Sequence, residues 1–308
     1  MPAPYPHVTV VLIARERFSR TVRTIRSLYE HTTIPFTLVW VDVDYPERYR
    51  QEVEAALAVR DNVRIIRFDR YVNACTQRNA GARATTDPYL CLLENDNDLS
   101  PGWLEAMIDA CERLDAGVCS PLLLEGWRPF PFIHHDPAVG HIRTWQENGI
   151  TVRAFDPDHT IQERLQWTAP RIVDTSENHV LLFRRAAFER MGGFDERVFT
   201  RQLCDMCMAL HAAGIRIALA PKAIVKHYAP PPFATDEFPY FKFIWNVRAC
   251  ERSEALIAEK WNIRQLPGSM DFVRGQHWRF HPIAYAAWWV VLHFIYVGRL
   301  MRRFVTSS

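Results

Sequence analysis

What most constrains this chain is alternation. Through the first 120 residues, short apolar runs of strand length take turns with segments whose apolar residues recur at helical spacing. Residues 7–14 (HVTVVLIA) read as a buried strand, and Phe18, Val22, Ile25, Leu28 and Tyr29 then fall on one helical face. Residues 36–43 give a second strand, 46–59 a helix, 63–68 a strand, 73–86 a helix and 89–93 a strand. A helix over 101–114, with Pro101 in its first turn, and a strand over 116–124 close the series. Such a series predicts an α/β fold with a mainly parallel, Rossmann-like sheet covered by helices on both faces. Ligands are then expected at the carboxyl ends of the strands.

Residues 125–175, rich in Pro, Trp and His and without clear periodicity, read as a long insertion over the site. Beyond it the sequence predicts a strand at 179–185, a tight turn at 192–196 (GGFDE), a helix at 202–213, two short strands at 215–221 and 223–230, and a helix at 238–259. The tail differs. Residues 283–298 are almost continuously apolar, carry Trp288, Trp289 and Tyr296, and are followed by Arg299, Arg302 and Arg303. That run falls short of the roughly 20 residues of a spanning helix. It fits either an amphipathic helix in the headgroup region, giving peripheral membrane contact, or a helix packed on the protein's own core or on a second subunit.

Composition narrows the function classes. With 308 residues, 48% hydrophobic and 23% charged, the chain buries a substantial core, and a net charge of +2 with no basic stripe speaks against a nucleic-acid partner. The seven cysteines lie mostly in apolar runs and read as reduced thiols. Cys204 and Cys207 sit three apart, but with no second pair they make a weak zinc set. The N-terminus enters a strand without a basic, then apolar, leader. The expected location is therefore the cytoplasm, or the inner face of the membrane if the tail lies on lipid.

The strand at 89–93 runs into Glu94, Asp96 and Asp98. Carboxylates crowded at a strand end repel unless a cation or a donor offsets them, so something positive is expected there. The bland alternative is a charged loop capping the helix at 101–114. Two stretches, RNAGARATTDPYLCLLENDNDLSPGWLEAM and GGFDERVFTRQLCDMCMALHAAGIRIALAPKAIVKH, resemble the paired signatures of family 2 glycosyltransferases with the GT-A fold, and the resemblance covers about residues 7–262. It implies a GT-A domain over 1–262, with a nucleotide-sugar half (1–120) and an acceptor half (121–262), followed by a helical tail over 263–308.

The resemblance also implies roles. The partners would be a nucleoside-diphosphate sugar and a glycan, lipid-linked or small-molecule hydroxyl acceptor; the cofactor would be Mg²⁺ or Mn²⁺. Asp96 and His227 stand where the family binds its metal, and Glu94 and Asn95 complete the D-x-D-like triplet. Glu94 replaces the usual Asp, and is expected near the ribose or at the metal through water; Asp98 is expected to be a solvated turn residue. Ala14, Arg15, Asp42, Asp44 and Arg78 match nucleotide-sugar positions, while Trp103 and Gly193 belong to acceptor-side motifs. Where the family carries an acidic pair that supplies the general base, this chain has Gln202 and Leu203. Asp205 is the favoured base, with Glu177 or Asp195 as substitutes; a domain that binds without transferring is the alternative. His134, His135 and His179 are further acceptor-side candidates.

Overall fold

The computed structural model describes residues 5–125, 132–135, 140–156, 168–228, 234–264 and 269–277, with isolated positions 287, 290 and 294. In chain order the first half carries β1 (Val8–Ile13), α1 (Thr21–His31), β2 (Phe36–Val43), α2 (Glu47–Leu57), β3 (Val63–Phe68), α3 (Ala74–Arg83), β4 (Tyr89–Glu94), β5 (Asn97–Leu99), α4 (Trp103–Leu114) and β6 (Val118–Glu125). There follow β7 (Phe132–His135), β8 (His141–Glu147), β9 (Ile150–Asp156), β10 (Arg171–Val173), β11 (Val180–Arg184), α5 (Arg185–Met191), α6 (Gln202–Ala212) and β12 (Ile217–His227). A short 3₁₀ turn (Thr235–Glu237) leads into α7 (Phe238–Ile244), α8 (Val247–Trp261) and α9 (Ser269–His277).

The main sheet runs β10-β12-β6-β11-β4-β1-β2-β3, with β5 added beside β12 and β7 beside β6. Pairings between β1, β2, β3 and β4 are parallel, as is β6 with β12, and β11 lies antiparallel between β4 and β6. Six strands of the main path therefore point the same way, and only β11 and β10 are reversed. The central strands β1 and β4 are buried along their whole length, which is why they read as unbroken apolar runs rather than alternating ones. Close approach of α3 to β1 depends on Gly81, where a Cβ would stand 2.1 Å from Val11 Cγ1.

Three expectations need correction. The two strands expected at 215–221 and 223–230 are one, β12 (Ile217–His227): Pro221 withholds a ladder donor and the register with β6 shifts between Ala220 and Ile224, but the strand continues. The helix expected at 238–259 is two, because the Asn246 side chain accepts from Ala249 N at 3.0 Å and starts α8 afresh. The insertion at 125–175 is not structureless. It carries β7 and β10, and β8 and β9 form a hairpin whose two-residue turn has Asn148 at φ 51° and Gly149 at φ 77°. Asn-Gly is the signal for that turn, and it stands in the sequence. The hairpin docks on the end of α8, where Asn262 Nδ2 donates to Thr151 O at 2.9 Å and Arg153 Nη1 to Trp261 O at 3.1 Å.

All seven cysteines are buried and none is in a disulfide. The side chains of His134 and His135 lie outside the described residues, as does the apolar tail apart from positions 287, 290 and 294. Among the described residues no helix is long and apolar enough to cross a membrane.

Candidate functional site

Strand direction decides what meets at the site. Because β1, β2, β4 and β12 run the same way, their carboxyl ends share one edge, and the reversed β11 brings its beginning there: Glu94 N donates to His179 O at 2.9 Å. The short β5 folds back along β12, pairing Asn97 with His227, and Tyr228 N donates to Asp96 O at 3.1 Å. Asp96 is thereby held between β4 and β12.

Each acidic residue after β4 has its own answer to the charge problem. Glu94, almost fully buried, accepts from Arg78 Nη2 at 2.6 Å on Oε1 and from Arg15 Nη1 at 2.8 Å on Oε2, and His179 Nδ1 is also 2.8 Å from Oε2. Its oxygens face these three side chains, where the sequence suggested the ribose or the metal. Asp98 is not a solvated turn residue: Arg23 grips it through Nε and Nη2, and Tyr228 Oη donates to it. Burial would raise its pKa, but these two partners outweigh burial and lower it. Asn95 donates from Nδ2 to Arg17 O and Thr21 Oγ1 and accepts from Arg15 N, so it latches β4 to the loop after β1. None of the three acids caps α4, whose N-cap, Gly102, makes no side-chain bond.

Asp96 differs. Its Oδ1 lies 3.5 Å from His227 Nδ1, while Oδ2 is buried with no hydrogen-bond partner among the described residues. Burial alone would raise its pKa; the nearby His227, then Arg15 and Arg17, outweigh burial and hold it at about 2. Asp96, His179 and His227 each offer a ligand atom, all within 4.8 Å of one another, and the two imidazole rings pack with centroids 4.1 Å apart. A buried, ionised carboxylate with an orphaned oxygen beside two imidazoles fits a divalent metal. Sequence reading assigns His179 to the acceptor side, because nothing in the sequence says that β11 runs backwards.

At the ends of β2 and β3 an open pocket of about 660 Å³ is lined by Asp42, Asp44, Arg50, Arg67, Phe68 and Asp69. Asp42 accepts from Tyr45 N at 2.9 Å and, on Oδ2, from Arg50 Nε and Arg67 Nη1, both at 3.0 Å; Asp44 adopts φ 61° beside it. No motif in the sequence points to Arg50 or Arg67. Ala14 is buried at the end of β1 and bonds through its backbone to Gln77 and Tyr240. Arg78 is wholly buried under the site, facing Glu94 and the Phe194 ring.

The acceptor-side residues fall into two groups. Glu177 Oε2 lies 3.8 Å from His179 Nε2, which puts it at the strand-edge cluster. Asp205 Oδ1 instead accepts from Lys260 Nζ at 2.8 Å and Trp261 Nε1 at 2.7 Å, and Asp195 pairs with Arg197 at 2.7 Å and Lys260 at 3.6 Å. The bond from Arg197 is the main reason that the Asp195 pKa is lowered to about 2. Gly193 lines a second open pocket, of about 340 Å³, with Asp205, Lys260 and Trp261. Trp103, expected to face the acceptor, is core instead: it is fully buried on the apolar face of α4 and donates from Nε1 to Thr32 Oγ1 at 3.0 Å.

Known proteins resemble this chain in sequence and fold. The chain is 24% identical over 244 residues to O-antigen biosynthesis protein RfbC of Myxococcus xanthus, a match covering 76% of this chain and 18% of that one. It is 24% identical over 227 residues to Pre-mycofactocin glycosyltransferase of Mycobacterium tuberculosis (strain ATCC 25618 / H37Rv), covering 71% and 42%. The chain thus spans less than half the length of these two relatives. Among solved structures, GalNAc-T7 with UDP, GalNAc and Mn²⁺ matches at a TM-score of 0.58 and 15% identity, over 92% of this chain and 57% of that chain. Staphylococcus aureus TarS 1-349 in complex with UDP-GlcNAc matches at 0.55 and 12%, over 90% and 73%. These likenesses establish a GT-A-type fold. The model for Glycosyl transferase family 2 matches residues 9–191, and the chain belongs to that family.

Proposed function

We propose that the chain transfers a sugar, with inversion, from a nucleoside-diphosphate sugar to a hydroxyl acceptor with the help of a divalent metal. The observation that carries this reading is the Asp96, His179 and His227 group, buried at the same strand edge as the pocket around Asp42. Asp96 and His227 would hold the ion, with His179 within reach. When bound, the ion supplies positive charge against the departing diphosphate. Asp42 and Asp44, with Arg50 and Arg67 beside them, face the nucleotide, and Ala14 and Arg15 form the floor beneath it. Burial opposes the Arg15 charge, but Glu94, then Glu16, Asp96 and Glu177, raise its pKa further, so it stays cationic there.

Inversion by one displacement needs a carboxylate to take the proton from the attacking hydroxyl. Asp205 and Asp195 are ion-paired to Lys260 beside the second pocket, whereas Glu177, which accepts from Asn178 N at 3.0 Å and lies 3.8 Å from His179 Nε2, shares the strand edge with Asp96. Glu177 Oε is therefore the atom to receive that proton. On this reading residues 1–120 contribute the donor floor, and 121–262 the acceptor side and His227. Surface polysaccharide, lipid-linked glycan or a glycosylated natural product is the acceptor class, in keeping with the names of the two bacterial relatives. A domain that binds nucleotide sugar without transferring it is favoured by one observation, the Gln202-Leu203 pair where the acidic pair is expected. Incubating the chain with a panel of nucleoside-diphosphate sugars and Mn²⁺ separates the two. Slow, metal-dependent release of nucleoside diphosphate supports the transferase; tight binding with no release from any donor supports the binding module.

A further inference from the structure

On the face of β12 turned away from His227, cations gather around one tyrosine. Successive side chains of a strand point to opposite faces, and the pairing of β12 with β5 sets Lys226 beside Asp98 but His227 beside Asn97. Lys226, Asp98 and Tyr228 therefore share the face opposite His227. Helix α1 packs along β5, where Thr24 Oγ1 donates to Asn97 O at 2.9 Å and Leu99 N to Ser27 Oγ at 2.8 Å. It brings the guanidinium carbons of Arg20 and Arg23 to 5.3 and 4.4 Å from the Tyr228 ring centroid, and Lys226 Nζ lies 5.1 Å from the same point. Arg17 Nη2 donates to Tyr228 O at 2.8 Å. The carboxylate bonded into this group, Asp98, is already held by Arg23 and Tyr228 Oη. Glu237 reaches the same loop, but its Oε1 accepts from Phe18 N and Ser19 N and its Oε2 from Ala234 N. Arg20 stands out. It is half-buried, and its guanidinium makes no hydrogen bond or ion pair among the described residues, only the ring contact. Burial, then the charges of Arg17 and Arg23, lower its pKa, yet an arginine stays cationic at neutral pH. By contrast Arg48, Arg67, Arg197 and Arg216 each meet a carboxylate, on Asp236, Glu54, Asp195 and Asp115.

We propose that Arg20, Arg23 and Lys226, gathered on Tyr228, form a phosphate site separate from the Asp96, His179 and His227 group. Its ligand is a phosphate mono- or diester, borne by a lipid headgroup or by a phosphorylated soluble molecule. A guanidinium edge offers paired N–H donors that match phosphate oxygens, and an aromatic face holds the guanidinium without using those donors. A bound phosphate gives Arg20 the anionic partner it lacks. Arg20 follows the carboxyl end of β1 and Tyr228 that of β12, so the site lies at the same strand edge as His227, on its outer side. A phosphate-bearing molecule would there be tethered next to the donor site, a consequence that rests on the transferase reading; the phosphate site itself does not.

The test is a calorimetric titration of the full chain with inorganic phosphate, at low salt and without nucleotide or metal. Arg20→Gln should weaken binding by at least about tenfold, the usual loss for a charge-assisted hydrogen bond. Arg48→Gln, the same change of charge at a paired arginine on α2, should leave it unchanged. A melt without phosphate accompanies both: relieving repulsion from Arg17 and Arg23 should hold or raise the melting temperature of Arg20→Gln. If that variant fails to fold, Lys226→Gln carries the same comparison. Sedimentation with phosphatidylcholine vesicles, with and without phosphatidylglycerol, then separates the sources. Binding that needs phosphatidylglycerol and is lost in Arg20→Gln assigns a lipid headgroup, and phosphate binding without vesicle binding assigns a soluble phosphorylated molecule. Three results overturn the proposal: a wild-type chain that binds neither phosphate nor vesicles, phosphate affinity unchanged in Arg20→Gln or equally weakened in Arg48→Gln, or phosphate displaced by a nucleoside diphosphate with Mn²⁺, which would place the cations in the donor site. Because the titration uses no nucleotide, a chain that binds phosphate as expected but never releases nucleoside diphosphate would defeat the transferase reading and leave this site in place.

Discussion

Two acidic clusters of this protein look alike in sequence and differ in what surrounds them. After β4, Glu94, Asp96 and Asp98 crowd five residues; around α6, Asp195 and Asp205 converge on Lys260. In the second cluster the carboxylates meet cations and a Trp N–H, and Asp205 ties α6 to the end of α8. In the first, Glu94 and Asp98 are neutralised by arginines, and Asp96 alone keeps a buried oxygen with no hydrogen-bond partner among the described residues. On the proposed reading, the difference separates a carboxylate that braces a fold from one kept ready for a ligand. Burying an unsatisfied acceptor costs about 1–3 kcal/mol, which a fold accepts when something else supplies the missing partner.

The comparison breaks most visibly at Asp96. Asp96→Ala should abolish metal-dependent nucleotide binding in a calorimetric titration while leaving the melting temperature unchanged or raised, since it removes a buried charge. Next comes the assignment of the base. Glu177→Gln should lower sugar transfer by roughly 10² to 10⁴-fold with donor affinity kept. Asp205→Asn should leave transfer within a few-fold but cost roughly 2 kcal/mol of stability, through its weakened bonds to Lys260 and Trp261. The opposite pattern would return the base to Asp205. Smaller still is Gly193→Ala. Gly193 has φ 75°, and a Cβ there would stand 2.9 Å from Asn79 Oδ1. The substitution should cost about 1–3 kcal/mol in a denaturant melt by prying the GGFD turn from α3. The least effect is acid sensitivity. Asp195 has its pKa lowered to about 2, chiefly by Arg197, so its stabilisation is present above the ordinary aspartate range near 4 and is lost as pH falls toward 2. Asp195→Asn should flatten that limb of a stability-against-pH curve by lowering the neutral region toward the acid one, while stability near pH 2 changes little.

Much of this is legible from residues alone. The strands from 7–14 to 89–93 come from apolar runs, and the positions of Asp96 and His227 follow once parallel strands imply a shared edge. What the sequence withholds is direction and partnership. The reversal of β11, which carries His179 to Asp96, depends on sheet order, a tertiary property. Glu94 and Asp98 read as site or solvent residues because their arginine partners are 16 to 79 and 75 positions away in the chain. Trp103 reads as an acceptor residue through its motif, although the apolar face of α4 already accounts for it. The hairpin at β8 and β9 is readable from Asn148-Gly149, and weak alternation in its strands hides it.

The proposed function requires that the buried edge around Asp96 bind donor and metal together. Thermal melts of the wild-type chain with a panel of nucleoside diphosphates, with Mn²⁺ and with chelator, test it most directly. A matched nucleotide at about 100 times its Kd should add about 2.7 kcal/mol of stability when Mn²⁺ is present, and the gain should vanish with chelator. Equal stabilisation with and without the metal, or none by any nucleotide, would contradict the account.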